Sequence, residues 1–222
     1  MNHVERRVQV QFEYFTAPSG VASINNEDDA AISAEACLPA LLEKLQVYDG
    51  FLVCCYSHHP LVAILRSKVT ELGSGSPRKP VTGIFESSIA TCLQSLDADQ
   101  KFGIVSTGAQ WQEILGDAVT ALLGSGSSSR YAGTETTSLN ADELHTAPKS
   151  EVDRRMKDAT KRLLANGAKA VCLGCAGMAG MDQTVREACV EYLGEVEGGR
   201  IKIVDGIVSG VIYLQGALRA AF

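Results

Sequence analysis

The sequence is poor in the features that mark several large functional classes. Positive charge is scarce: 20 Lys and Arg stand against 26 Asp and Glu, for a net charge of −6. A nucleic-acid or anionic-membrane surface needs a basic patch, so neither partner is expected. Long apolar runs are missing, and none approaches the roughly 20 residues that span a bilayer. The N-terminus, MNHVERRVQV, is polar and charged and has no secretory core, so a cytoplasmic location is expected. The Gly/Ser run at residues 124–129 lacks the lysine and strand context of a phosphate loop, and it reads as flexible surface. CLGC, ending at Cys175, has no second CxxC to complete a zinc site. Aromatic residues make up 6%, with one tryptophan, Trp111, which reads as a packed helix residue.

What is present is an ordinary globular composition, 45% hydrophobic and 21% charged over 222 residues. That length allows one large domain or two small lobes. The seven cysteines are an odd number, mostly in apolar contexts, which suits reduced thiols better than a disulfide framework. Apolar strand-like runs alternate with helical periodicity. VQVQFEYF (residues 8–15) reads as a first strand, residues 28–45 as a helix, and FLVCC (51–55) as a buried strand. Pro60 opens the next helix. VTGIFESSI runs from strand into helix with Glu86 in the first turn, and FGIVSTG is another strand. A strong helix follows with Ser150 as its N-cap and Gly167 near its end, and then come KAVCLGC, a helix, RIKIVDG and a last apolar helix. The alternation indicates an α/β fold with mainly parallel sheet. Ligands in such folds bind beyond the carboxyl ends of strands, where Cys55 and Cys175 both stand.

The chain also echoes itself. FLVCCYSHHPLVAILRSKV and AVCLGCAGMAGMDQTVREACVEYL share the order strand, cysteine, short loop, helix. Each is followed one unit later by a strand ending in Gly-Ile, at Gly83 and Gly206. Two related halves predict two pseudo-symmetric lobes, residues 1–95 plus 206–222 and residues 96–205, each offering a thiol at a strand end; if the lobes face each other, one ligand fits between Cys55 and Cys175, which periodicity alone does not prove. Two opposed thiols suit the inversion of a carbon acid: one removes the proton beside a carbonyl, and the other returns a proton to the opposite face. A free cysteine with a pKa near 8.5 is roughly 3% thiolate at neutral pH. A helix N-terminus after each cysteine is expected to favour the anion. Backbone N–H groups near Ala176 and Gly177, with Ser57, Ser106 and Thr107, are candidate donors to an enolate oxygen. The competing reading is that both cysteines are core thiols and that the pair His58-His59 lies in a loop.

FLVCCYSHHPL, VTGIFESSI, FGIVSTG and VCLGCAGMAGMD, in that order, resemble the cofactor-independent aspartate/glutamate/hydantoin racemase superfamily, and within it the hydantoin- and allantoin-racemase-like branch. The resemblance runs from about Phe15 to the C-terminus. It implies two Rossmann-like lobes with the site between them, Cys55 and Cys175 as the catalytic pair, and Tyr56, Ser57, Ala176 and Gly177 as substrate contacts. It implies a small-molecule substrate and no metal, pyridoxal phosphate or nucleotide, and it leaves a homo-oligomer open. In the acidic amino-acid branch Asn-Thr follows the first cysteine. Tyr-Ser here favours a neutral ring, a 5-substituted hydantoin or an allantoin-like ureide, over aspartate or glutamate. Members usually begin with a strand ending in an Asn-Pro-Asn loop, whereas residues 8–15 resemble the second strand of the family. A chain lacking that strand, a truncated gene model and a non-catalytic relative all stay open. His58 stands where an aspartate is common.

Overall fold

The computed structural model describes residues 10–73, 78–125 and 128–220. Short apolar runs form the strands, in two sheets that are parallel throughout. β1 (Phe51–Val53) pairs with β2 (Val81–Gly83), Phe51 lying opposite Val81. β3 (Lys101–Ser106), β4 (Tyr131–Thr136), β5 (Ala168–Leu173) and β6 (Lys202–Asp205) form the second sheet in the order β4-β3-β5-β6. The helices are α1 (Glu27–Lys44), α2 (Pro60–Glu71), α3 (Ile84–Ser95), α4 (Trp111–Leu123), α5 (Glu143–Thr146), α6 (Lys149–Ala165), α7 (Asp182–Arg200) and α8 (Gly206–Ala220).

Local chemistry explains the boundaries. α1 begins where Asn26 Oδ1 accepts from the Asp29 N–H at 2.8 Å and Asp29 returns the bond to the Asn25 N–H at 2.9 Å. α2 begins at Pro60, whose missing N–H costs nothing in a first turn, with His59 Nδ1 accepting from the Leu61 N–H. Strand alternation then sorts the core of the second sheet. Phe102, Ile104, Ala170 and Cys172 face α3 and α4, while Val105, Val171 and Leu173 face α6 and α7. α1 and α2 pack on β1 and β2 around Leu41, Leu61 and Leu65.

The two sheets are tied by an exchange of helices. α3 leaves β2 yet packs against β3, β5 and β6, and α8 leaves β6 yet packs against β1, β2 and α3. Gly206 makes the second approach feasible, since a Cβ there would lie 2.7 Å from the Ile84 carbonyl oxygen. The echo in the sequence is matched in space: β1 and β5 each carry a cysteine beyond their ends, and β2 and β6 each run straight into a helix.

Some expectations change. Residues 8 and 9 of the first expected strand lie outside the described residues, and residues 10–15 join no ladder. Alternation alone does not make a strand: among the described residues these form no strand ladder, and Tyr14 is 97% exposed. Ser150 is not the cap of α6 but lies in its first turn, because Pro148 sets the entry instead. The segment after the Gly/Ser run, two residues of which (126 and 127) are outside the described residues, supplies an unanticipated edge strand, β4.

Candidate active site

Cys55 lies two residues beyond β1 and is half-buried. A tight turn follows, closed by the Ser57 N–H donating to the Cys55 carbonyl at 3.1 Å. The turn brings the Ser57 hydroxyl to 3.5 Å from Cys55 Sγ. Burial pushes the Cys55 thiol up to about 11, the Ser57 hydrogen bond opposes the rise, and negative charge on Cys175 and Cys54 adds to it. Cys175 is therefore within electrostatic reach of Cys55. Cys54 is exposed, its Sγ directed to the Leu52 carbonyl, and its nearby acid is Asp205.

Cys175 lies two residues beyond β5, also half-buried. Gly174 delivers it there. The Gly174 N–H donates to the Val105 carbonyl at 2.7 Å, and a Cβ at this position would sit 2.5 Å from the same oxygen. Ala176 and Gly177 open a single 3₁₀ turn, and the Gly177 N–H donates to Cys175 Sγ at 3.3 Å. Burial raises the Cys175 thiol, against the pull of the Gly177 and Met178 N–H groups. The expectation that helix N-termini depress both thiols is thus corrected. α2 starts only at Pro60 and α7 only at Asp182, so dehydration outweighs the dipoles and both groups rest as neutral thiols.

The other expected residues divide by what their side chains already do. Ser57 is buried with its hydroxyl on Cys55. Tyr56 turns into the core, stacked edge-on against Phe85, with its hydroxyl 2.8 Å from Ser88 Oγ, so only its backbone faces the turn. The Ser106 hydroxyl donates to the Gly174 carbonyl at 3.0 Å and so braces the strand end before Cys175. Thr107 is buried, and its carbonyl accepts from the Ser138 N–H. Ala176 and Gly177 are half-buried in the turn. Glu86 lies in the first turn of α3 as expected. Its Oε1 is 4.0 Å from Nδ1 of the exposed His58, and its buried Oε2 meets no donor among the described residues. Of the histidine pair, His59 is a helix cap, buried and pushed down by burial.

Two features escaped the sequence reading. α5 brings His145 beside the second thiol: a Cβ on Gly177 would be 3.3 Å from His145 Nε2 and 3.5 Å from Cys175 Sγ. Nothing in ELHT marks such a contact, because it depends on where a short helix packs. Cys172 Sγ lies 3.3 Å from Cys92 Sγ in the buried core, so the first thiol of CLGC points away from Cys175 and shares a hydrogen bond with a free cysteine of α3. The shared proton lowers Cys172 and raises Cys92. Among the described residues no three His, Cys, Asp or Glu side chains converge.

Two half-buried thiols thus stand beyond equivalent strands, Cys55 beside the Ser57 hydroxyl and Cys175 beside the Gly177 N–H. Comparison with known proteins agrees with the fold and the motifs. The Asp/Glu/hydantoin racemase family model matches residues 3–212. An uncharacterized protein of Schizosaccharomyces pombe is 34% identical over 212 residues, 95% of this chain and 80% of that one. A hydantoin racemase of a Pseudomonas species is 26% identical over 214 residues, 94% of this chain and 74% of that one. The solved allantoin racemase of Klebsiella pneumoniae has the same fold, with a TM-score of 0.71 at 22% identity over 93% of this chain and 74% of that one. The chain belongs to the Asp/Glu/hydantoin racemase family.

Proposed function

We propose that the chain is a cofactor-independent racemase that inverts a stereocentre next to a carbonyl in a cyclic ureide, a 5-substituted hydantoin or an allantoin-like ring. Cys55 and Cys175 are its two acid/base groups. One thiolate takes the C5 proton and forms an enolate, and the opposing thiol returns a proton to the other face. The roles exchange for the other enantiomer. The observation that carries this reading is the placement of two half-buried free thiols, each two residues beyond the end of an equivalent parallel strand. Backbone N–H groups of the turns after each cysteine are the donors for the enolate oxygen. The packing of α8 on β1 and β2 supports counting residues 206–222 with the first lobe.

Replacing either thiol, as Cys55→Ser or Cys175→Ser, is expected to cut racemisation by about 10²–10⁴-fold, the range for losing a general base. Polarimetry on 5-substituted hydantoins and allantoin, with circular dichroism to check the fold, measures it. Racemisation retained by both single variants would remove the two-thiol mechanism.

A further inference from the structure

Between α1 and α4 lies a cavity of about 200 Å³ that reaches Ser57. Its size is informative. Pockets that take a whole small ligand are usually about 300–1,000 Å³, whereas a dry cavity of about 150 Å³ holds a benzene ring. This space suits one part of a ligand, a single ring or a branched chain.

Its lining is sorted by depth. Ala30, Trp111 and Ala118 are buried, and Pro60 and Ile114 are half-buried. Four of these five side chains carry no polar atom, and the fifth is an indole. Of the polar lining residues, Asn26, Glu27 and His58 are exposed at the rim, with Asn26 Oδ1 already taken as the α1 cap, and Ser57 is buried with its hydroxyl against Cys55 Sγ. A ureido substituent entering this space would bring several donors and an acceptor against walls whose buried polar groups are only the Ser57 hydroxyl and the Trp111 indole, so most would go unpaired, which is unfavourable. An apolar substituent loses nothing there. Ser57 joins the cavity to the reacting centre, since its hydroxyl is 3.5 Å from Cys55 Sγ.

We infer that this cavity is the specificity pocket of the site, that it takes an apolar C5 substituent of aryl-methyl or branched-alkyl size, and that Trp111, Ile114 and Ala118 on α4 set its dimensions. The inference rests on the racemase reading above and narrows it to hydantoins with apolar substituents rather than allantoin.

The test compares kcat/KM for racemisation of 5-benzyl-, 5-isobutyl- and 5-methylhydantoin and allantoin. It adds deuterium exchange at C5 of unsubstituted hydantoin, which needs no pocket. The unaltered chain is expected to prefer the benzyl and isobutyl rings to allantoin. Ala118→Leu, which fills the pocket, is expected to lower the benzyl-to-methyl ratio by about tenfold or more, the usual scale for steric discrimination in an apolar pocket. Ile114→Ala only removes atoms and is expected to raise that ratio, so it decides the matter if Ala118→Leu does not fold. A preference for allantoin, or a ratio unmoved in the folded variants, overturns the inference while leaving the racemase reading intact. No exchange with any ring, unsubstituted hydantoin included, overturns the racemase reading and this inference with it.

Discussion

In the four-stranded sheet β5 is bonded on both sides, to β3 and to β6, whereas among the described residues β1 is bonded only to β2. The two strands deliver equivalent cysteines, yet they are held by different means. Ladders fix the end of β5, and Ser106 and the Val105 carbonyl clamp Gly174 immediately before Cys175. β1 has three residues and a single ladder, so side chains do more of the holding. Tyr56 is anchored on Ser88 and Phe85, Ser57 bonds to Cys55, and His59 caps α2. A repeated unit can thus place the same reactive atom through backbone pairing in one half and through side-chain hydrogen bonds in the other.

Substitutions at one glycine beside each sheet should expose that difference most strongly. Gly174→Ala drives a Cβ into a backbone oxygen that two ladders hold in place, and is expected to cost about 1–3 kcal/mol of stability along with most activity. At Gly83, the residue facing Val53 in the two-stranded sheet, the obstacles are the flexible Glu86 carboxylate and a Val62 methyl, so Gly83→Ala should cost less. Chemical denaturation of both variants measures the gap, and equal losses would break the contrast.

The thiols should differ in the same direction. Cys175 is supported by backbone N–H groups, while Cys55, pushed up to about 11, relies on one hydroxyl. A raised pKa means the neutral thiol dominates near pH 7 and the reactive anion grows as pH rises. Alkylation of Cys55 by iodoacetamide is therefore expected to keep accelerating beyond pH 9, and Cys175 should be modified before it. Mass spectrometry resolves the two sites, with exposed Cys54 as the internal reference. A plateau for Cys55 near pH 8.5 would contradict the assigned burial.

The smallest expected effect concerns His59. Burial holds its folded pKa below the ordinary 6.5. Below that value the unfolded chain takes a proton that the folded capping nitrogen resists. The associated stability is complete above about pH 6.5 and is lost as pH falls from there through the folded pKa. His59→Ala should cost about 1 kcal/mol at neutral pH through the missing cap and should flatten the acid side of the stability profile. Thermal melts from pH 7 to pH 5 test both statements.

Much of this was legible in the sequence, for identifiable reasons. FLVCC, KAVCLGC and RIKIVDG are apolar runs bounded by turn residues, and buried parallel strands must look like that. The cysteines were locatable because strand ends are where such folds bind ligands. What stayed hidden depends on partners distant in the chain. VQVQFEYF has the pattern of a strand, but residues 10–15 meet no neighbouring strand. YAGTET has weak apolar content because an edge strand needs little, so β4 carried no signal. Tyr56 looked like a substrate contact by its place after Cys55, and only packing shows its hydroxyl turned inward to Ser88. The thiol pKa values reversed expectation because local helix dipoles are readable from sequence while dehydration is not.

The central claim is that each thiol serves one face of the same carbon. Proton exchange at C5, followed by NMR in deuterated water with separate enantiomers of one hydantoin, tests it most directly. The account predicts that Cys55→Ser exchanges only one enantiomer, that Cys175→Ser exchanges only the other, and that neither inverts its substrate. Exchange of both enantiomers by either variant would contradict it.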